Sequence, residues 1–415
     1  MVARGDGFDP RRADAYETVR SFDAFDGIIC IGGEDWWYHN RGHFDFQIMR
    51  RLARKWPVLF VNSLGVRVPS LKDNKLFIER IGRKLKSLSR GLVNVENNFW
   101  VFSPFAIPGG AGQKLSGWAL APQIRLAAAR AGIRRPLLWV HCPAGAVLVD
   151  QIESVAVVMQ RTDRFEAFPE ADPTVVERQI AQLKSRADLV VYAAPHLMAE
   201  EAGSVARQLL ITHGADVERF IAADVSATEP HDVAGLGRPR VGFIGGIDAH
   251  TFEPALFNEA ARNLSDVTFV MIGGCSLEDG WCPHPNVHLL GRKPYDEVAS
   301  YMAACDCLIM PWNRSDWIKA CNPIKLKEYL AVGRPVVTTD FDALEGWRDL
   351  VGVAHDAQQF AALIRRAIST PYDATIARQR VAAETWDAKA ELLARSLVEL
   401  VEPGTVTPDQ RLRAA

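Results

Sequence analysis

Short apolar runs rich in Val, Ile and Leu alternate with amphipathic stretches along almost the whole chain, and this alternation constrains the fold more than any other feature. Runs at 27–31, 58–62, 100–105, 136–141, 155–160 and 189–193 have the length and content of strands, and 44–55, 115–131 and 173–186 have helical spacing. The same order restarts at 240–244, 267–272, 287–290, 307–310 and 335–339, with helices expected over 253–263, 295–304 and 323–332. Strands that are apolar throughout and separated by helices form parallel sheets covered on both faces, because each crossover must return over a face of the sheet. A chain of 415 residues exceeds what one core supports, so the two series predict two doubly wound α/β domains. The expected division is 1–221 and 240–375, joined by 222–239, where Ser, Thr, Pro, Gly and Asp crowd together without apolar period. A further helical stretch fills 376–402, and 403–415 is expected to fray.

Composition narrows the partners. Hydrophobic content of 48%, charged content of 24% and a formal charge of -2 describe an ordinary soluble enzyme and give no reason to expect nucleic acid as a ligand. No run reaches the roughly 18 to 20 apolar residues of a membrane span, and the first 24 residues are too polar for a signal peptide, so the cytoplasm is the expected compartment. The seven cysteines have no CxxC spacing, which suits reduced thiols. Cys275 and Cys282 lie near His284 and His288 without matching a common zinc pattern, so no metal site is expected there.

Ligands of open parallel sheets sit beyond the carboxyl ends of the strands, and two such domains facing each other enclose a cleft for two substrates. After the strand at 307–310 comes a polar loop and then Asn322-Pro-Ile-Lys-Leu-Lys-Glu-Tyr-Leu-Ala-Val-Gly333. Asn322 suits the N-cap, Pro323 the first helical position and Gly333 the left-handed stop. A helix N-terminus facing a cleft presents unpaired N–H groups and about half a positive charge, which favours a diphosphate. Lys325 in the first turn and Glu328 one turn on therefore read as a phosphate-binding cation and a ribose-binding carboxylate; the same spacing also suits an ion pair on a solvated face. Gly242, Gly245 and Gly246 do not make the GxGxxG pattern, so dinucleotide binding is not expected.

The segment from Asn322 through Arg334-Pro-Val-Val resembles the donor-site signature of GT-B glycosyltransferases, especially bacterial enzymes such as the teichuronic-acid transferases and the xanthan glucuronosyltransferase. Val241-Gly-Phe-Ile-Gly-Gly246, Asn286-Val-His-Leu-Leu-Gly-Arg-Lys-Pro-Tyr295 and Glu384-Thr-Trp386 extend the resemblance, strongly in the second half and weakly in the first. It implies the GT-B fold, two Rossmann-like domains facing a central cleft, with the last helix returning to the first domain. It also implies that Lys325 contacts the donor phosphates, Glu328 the ribose, that Gly245 and Gly246 admit the diphosphate closely, and that Arg292 flanks the nucleotide. Many retaining relatives carry a second glutamate where this chain has Ala320, beside Lys319, so the stereochemistry stays open and Lys319 suggests an acidic transferred sugar such as a uronic acid.

In the first half, Gly32 to His43 gathers His39, Arg41, His43 and aromatic residues including Trp37 into one loop, suited to stacking on sugars and pairing with phosphate. His141 follows a strand, as does Arg161-Thr-Asp163-Arg-Phe-Glu166. Related enzymes carry an acidic pair in that region, which makes Asp163 the expected general base for an inverting reaction. Glu34, Asp35, His141 and Glu166 are its competitors, and pairing with Arg161 or Arg164 is the structural alternative. Lys325 and the helix dipole absorb the leaving-group charge, and no DxD-like site lies near a donor strand, so no metal or other cofactor is expected. Over 67–92, eight basic residues stand against Asp73 and Glu79 with apolar residues at helical spacing, a pattern suited to an anionic bilayer or to an ordinary packed helix. The expected function is sugar transfer from a nucleoside diphosphate, uridine-based by resemblance, to a glycan or lipid-linked acceptor of a bacterial surface polymer. The alternatives are a nucleotide-sugar epimerase and a non-catalytic nucleotide-sugar-binding partner.

Overall fold

The structure, a computed structural model, describes residues 24–38, 42–64, 82, 86–105, 113–168, 171–226, 229–319 and 321–402. His39, Arg41, Ala320 and most of 67–92 lie outside them. The described residues form an eight-stranded and a six-stranded sheet.

In the first sheet the strands are β1 (Gly27–Ile31), β2 (Val58–Val61), β3 (Leu92–Glu96), β4 (Phe99–Phe102), β5 (Pro136–Val140), β6 (Ala156–Arg161), β7 (Leu189–Tyr192) and β8 (Gln208–Leu210). Their spatial order is β3-β4-β2-β1-β5-β6-β7-β8, parallel except for the β3–β4 pair. Strands β1, β2, β5, β6 and β7 are buried along their whole length, which is why they read as continuous apolar runs. The edge strands β3 and β8 are half-buried and carry no such run, so sequence pattern did not find them. Helices α1 (Phe44–Leu52), α2 (Gln113–Arg130) and α3 (Pro173–Arg186) cover the faces. Pro173 opens α3 and Asp172 caps it, its carboxylate accepting from Val175 N at 3.3 Å.

Helix α4 (Val217–Ser226) leads into the second sheet, built from β9 (Arg240–Ile244), β10 (Thr268–Ile272), β11 (Val287–Gly291), β12 (Cys307–Met310), β13 (Val336–Thr339) and β14 (Gly352–Ala354). The order β11-β10-β9-β12-β13-β14, all parallel, is the doubly wound nucleotide-binding order with its reversal between β9 and β12. Helices α5 (Pro254–Asn263), α6 (Tyr295–Ala303), α7 (Ile324–Val332) and α8 (Ala357–Ser369) cover it. Val217 and Phe220 of α4 are buried in the same core as Tyr329 to Val332 of α7, so 217–226 is packed on the second domain, upstream of and overlapping the stretch expected as a linker.

Helix α9 (Trp386–Val401) returns to the first domain. Trp386, Leu393 and Leu397 are buried with Phe44, Ile48 and Leu52 of α1, and Lys55 pairs with Glu391 at 2.7 Å. The crossing is tight: a Cβ on Gly214 would stand 2.6 Å from Trp386 N, and Ala215 N donates to Glu384 O at 2.9 Å.

Candidate functional site

Both sheets reverse direction at a switch point, between β1 and β5 in the first and between β9 and β12 in the second, and the loops leaving these strands face each other. Phe168, beyond β6, meets Trp317, beyond β12, with ring centroids 4.8 Å apart. The Cys321 thiol is pushed up to about 12, chiefly by burial and also by the charge of Asp163 from the first domain, against the charge of Lys325 from its own, so all three share the cleft.

The second-domain wall starts at Gly245. A Cβ there would lie 3.2 Å from Lys325 Cε, and the missing side chain lets the lysine stem lie against the strand end. Gly273, beyond β10, has φ 144°, and a Cβ on it would fall 1.7 Å from Gly245 O, so the two loops touch backbone to backbone. Gly274 abuts Arg292, its Cβ position 2.8 Å from Nε. Lys325, in the first turn of α7, and Arg292 thus lie against one run of touching glycine loops. The space over Gly246 is taken by Asp248, 2.6 Å from a Cβ placed there; that carboxylate accepts from His250 N at 3.0 Å and Thr251 N at 2.9 Å and closes the loop.

Helix α7 begins one residue later than its sequence predicts. Pro323, at φ -74° and ψ 121°, holds the N-cap position, and Asn322 makes no side-chain cap. The extended Pro323 displaces Asn322 from the cap; its backbone meets the His213 ring, and its buried Oδ1 has no hydrogen-bond partner among the described residues. Gly333 ends the helix at φ 82° as expected.

Glu328 is 6% exposed, which rules out a solvated ion pair. The Tyr295 hydroxyl lies 3.3 Å from Glu328 Oε1 and 3.4 Å from Asp216 Oδ2, while the Arg219 guanidinium sits 5.0 Å from the Tyr295 ring centroid. Burial pushes the Glu328 carboxyl up to about 7 against the opposing charge of Lys325. A carboxylate so enclosed is suited to receive hydroxyl donors that replace the lost water. Lys319, at the end of the short helix Asp316–Lys319, is exposed and paired with Asp316 at 2.8 Å.

On the opposite wall, Asp45 is fully buried and accepts from Gly33 N at 3.0 Å. Its Oδ2 also lies 3.0 Å from His141 Nδ1, and His141 Nε2 lies 3.1 Å from Thr162 Oγ1. Burial opposes charge on the imidazole, but Asp45 outweighs it and holds the His141 pKa above its ordinary value. Thr162 in turn hydrogen-bonds the half-buried Asp163 carboxyl, which burial raises against the charges of His141 and His43. Neither neighbouring arginine takes that carboxylate. Arg161 pairs with Glu166 at 2.8 Å and Glu201 at 2.9 Å and gives Asp163 only a bond to its backbone O, at 2.8 Å, while Arg164 pairs with Glu200. Glu166 is thereby committed to Arg161, and Asp35 accepts from Trp37 N at 2.9 Å.

The aromatic loop is arranged differently from expectation. The Arg90 guanidinium covers the Trp37 ring at 4.3 Å, so that face is not offered to a sugar. His43 occupies the N-cap position of α1 and packs edge-on to Phe46 at 5.9 Å. Of the described acceptor residues Trp37, His43 and His141, His141 reaches Asp163 through Thr162, and the charge of His43 acts on the same carboxyl. Sequence reasoning missed Asp45, Thr162, Asp216 and Tyr295: nothing in a single acid, threonine or tyrosine on an ordinary element announces a partner far along the chain.

Two facing doubly wound domains with a glycine-walled, cationic helix start at the second switch point define the GT-B glycosyltransferase architecture. Residues 238–370 match the profile of the family described as Glycosyl transferases group 1. The chain is also similar to TuaH of Bacillus subtilis, assigned to teichuronic acid biosynthesis as a glycosyltransferase: 33% identity over 135 residues, which is 31% of this chain and 34% of that relative. The match therefore spans about a third of the relative's length. The whole fold is similar to a sucrose-phosphate synthase from Thermosynechococcus elongatus, at TM-score 0.67 and 16% identity over 90% of this chain and 99% of that one. It is also similar to Anabaena HepE in complex with UDP and glucose, at TM-score 0.60 and 15% identity over 90% and 99% of the two chains. The chain thus has the GT-B fold, and within it residues 238–370 match a group 1 glycosyl transferase domain.

Proposed function

We propose that this protein transfers a sugar from a nucleoside diphosphate, uridine-based, to a glycan or lipid-linked saccharide in the synthesis of a bacterial surface polysaccharide. The observation that carries the reading is the buried Glu328 one turn beyond Lys325, on a helix whose start faces Asp163 across the cleft. The diphosphate lies at Lys325, Arg292 and the α7 N-terminus, and the ribose hydroxyls donate to Glu328. The UDP complexes of HepE support a uridine donor, and the assignment of TuaH supports a surface polymer as product.

In the transfer, an acceptor hydroxyl oxygen bonds to the anomeric carbon as the bond from that carbon to the diphosphate breaks, and the hydroxyl proton passes to Asp163. A single displacement of this kind inverts the anomeric centre. Lys325, Arg292 and the helix dipole stabilise the departing diphosphate, a role that needs no metal, so transfer persists in chelator. The residue that suggests an acidic transferred sugar, Lys319, is paired with Asp316 at 2.8 Å.

The test is calorimetric binding of UDP, GDP and ADP without added metal, to the wild type and to Glu328→Ala. Uridine-selective binding that Glu328→Ala loses supports the donor site; no nucleotide binding to the wild type removes it. An Asp163→Asn protein that binds UDP normally is expected to lose transfer by at least about a hundredfold. Near-normal turnover in that variant rules out its base role.

A further inference from the structure

Helix α2 buries one face and is apolar on the other as well. Leu120, Ala121, Ile124, Ala127 and Ala128 pack into the first-domain core. On the outward side Trp118 is 73% exposed and Leu126 53%, one above the other with Pro122 between them at four-residue intervals. Phe105, 61% exposed, is fastened beside them: its N–H donates to Gln123 Oε1 at 3.0 Å, and Gln123 Nε2 donates to its carbonyl at 3.2 Å. Three large apolar side chains held outward beside a helix whose other face is already buried need a partner.

The charge around them selects the partner. From Gln113 to Arg135 the chain carries Lys114, Arg125, Arg130, Arg134 and Arg135 and no acid. Arg125 and Arg130 are exposed on the same outward side. A second copy meeting this face about a two-fold axis would oppose arginines with arginines. An anionic bilayer satisfies both features: aromatic and leucine side chains enter the headgroup boundary while arginines meet lipid phosphates. The position suits such a role. Gly117, next to Trp118, lies against Val147, its Cβ position 2.7 Å from that carbonyl, and the short helix Pro143–Leu148 follows directly on His141.

We propose that the outward face of α2, with Phe105, Trp118 and Leu126 as anchors and Arg125 and Arg130 as charge contacts, docks the first domain on an anionic membrane surface. A lipid-linked acceptor then reaches the His141–Asp163 wall from the bilayer; this consequence alone rests on the transfer reading.

Co-sedimentation with vesicles of phosphatidylcholine, alone or mixed with phosphatidylglycerol, tests the docking. The wild type is expected to pellet with the anionic vesicles and to be released by high salt. Trp118→Ser with Leu126→Ser, and separately Arg125→Glu with Arg130→Glu, are expected to weaken that binding by on the order of tenfold while thermal unfolding and UDP binding stay unchanged. Absence of wild-type pelleting overturns the proposal. Pelleting that both double variants retain also overturns it, because the contact then lies elsewhere, as over 67–92. A concentration-dependent dimer abolished by Trp118→Ser assigns the face to a second copy and overturns it too. If vesicles bind but UDP does not, the docking stands and the transfer reading fails.

Discussion

Glu328 and Asp163 are both carboxyl groups pushed upward by burial, but they stand in different surroundings and make different predictions. A ribose hydroxyl donates to the ionised form of Glu328. Donor affinity is therefore expected to rise between pH 6 and 8, as the group titrates near 7, and calorimetry on Glu328→Gln should show this dependence removed, leaving only what the phosphates contribute. Stability runs the other way: because the folded protein holds this proton more tightly than the unfolded chain, the contribution is complete below the ordinary carboxylate range and is lost as pH rises through about 7. For Asp163 the lever is remote. Asp45 raises the His141 pKa, and positive charge on His141 favours ionisation of Asp163, so Asp45→Asn is expected to move the acid limb of the kcat/KM profile upward with donor affinity unchanged. An unshifted profile would mean that Asp45 serves packing alone. That Lys325 and the buried Glu328 lie together was legible at this scale, because they sit one turn apart on a helix whose ends the chain marks. Asp45 was not, since a single acid in a first helical turn looks like a macrodipole partner.

Helix α7 is held on its far side as firmly as on its ligand side. Lys327 is 3% exposed, lies 2.5 Å from Glu384 Oε2 and 3.2 Å from Thr212 Oγ1, and donates to the His213 carbonyl. Burial still lowers its pKa to about 8, and Lys389 shares Glu384 at 2.8 Å. These bonds join the donor helix to the segment before α4 and to the start of α9. Lys327→Met leaves Glu384 with one buried cation fewer and is expected to cost about 3 kcal/mol in urea unfolding. A loss under about 0.5 kcal/mol would show the network to be solvated and idle. The one-residue shift at the start of α7 belongs here too. Cap preference placed Asn322 correctly as a boundary residue, but an extended Pro323 and the packing of His213 on the Asn322 backbone moved the cap.

Across the whole molecule, the contacts that set how the domains meet include the α9 return, the Phe168–Trp317 ring contact, and the pairings of Arg51 with Asp216 at 3.5 Å and of His196 with Asp342 at 3.2 Å. The α9 return buries Trp386, Leu393 and Leu397 against the first domain, and Trp386, 1% exposed, is its first large anchor. Trp386→Ala is expected to cost about 3 kcal/mol and to split a single urea transition into two, as the domains lose their common helix. One cooperative transition at unchanged midpoint would show the domains to be coupled elsewhere. The amino-acid sequence by itself determined that there are two α/β domains, which runs become inner strands, and where helix α7 stops. Those features depend on apolar period and on glycine and proline chemistry within a turn or two of the chain. Tertiary structure alone decided that Asp45 meets His141 across 96 residues and that Asp216 and Glu328 share the Tyr295 hydroxyl. Strand order and the approach of the domains make those pairs, and a hydrophobic period is the same whichever strand comes to lie beside it.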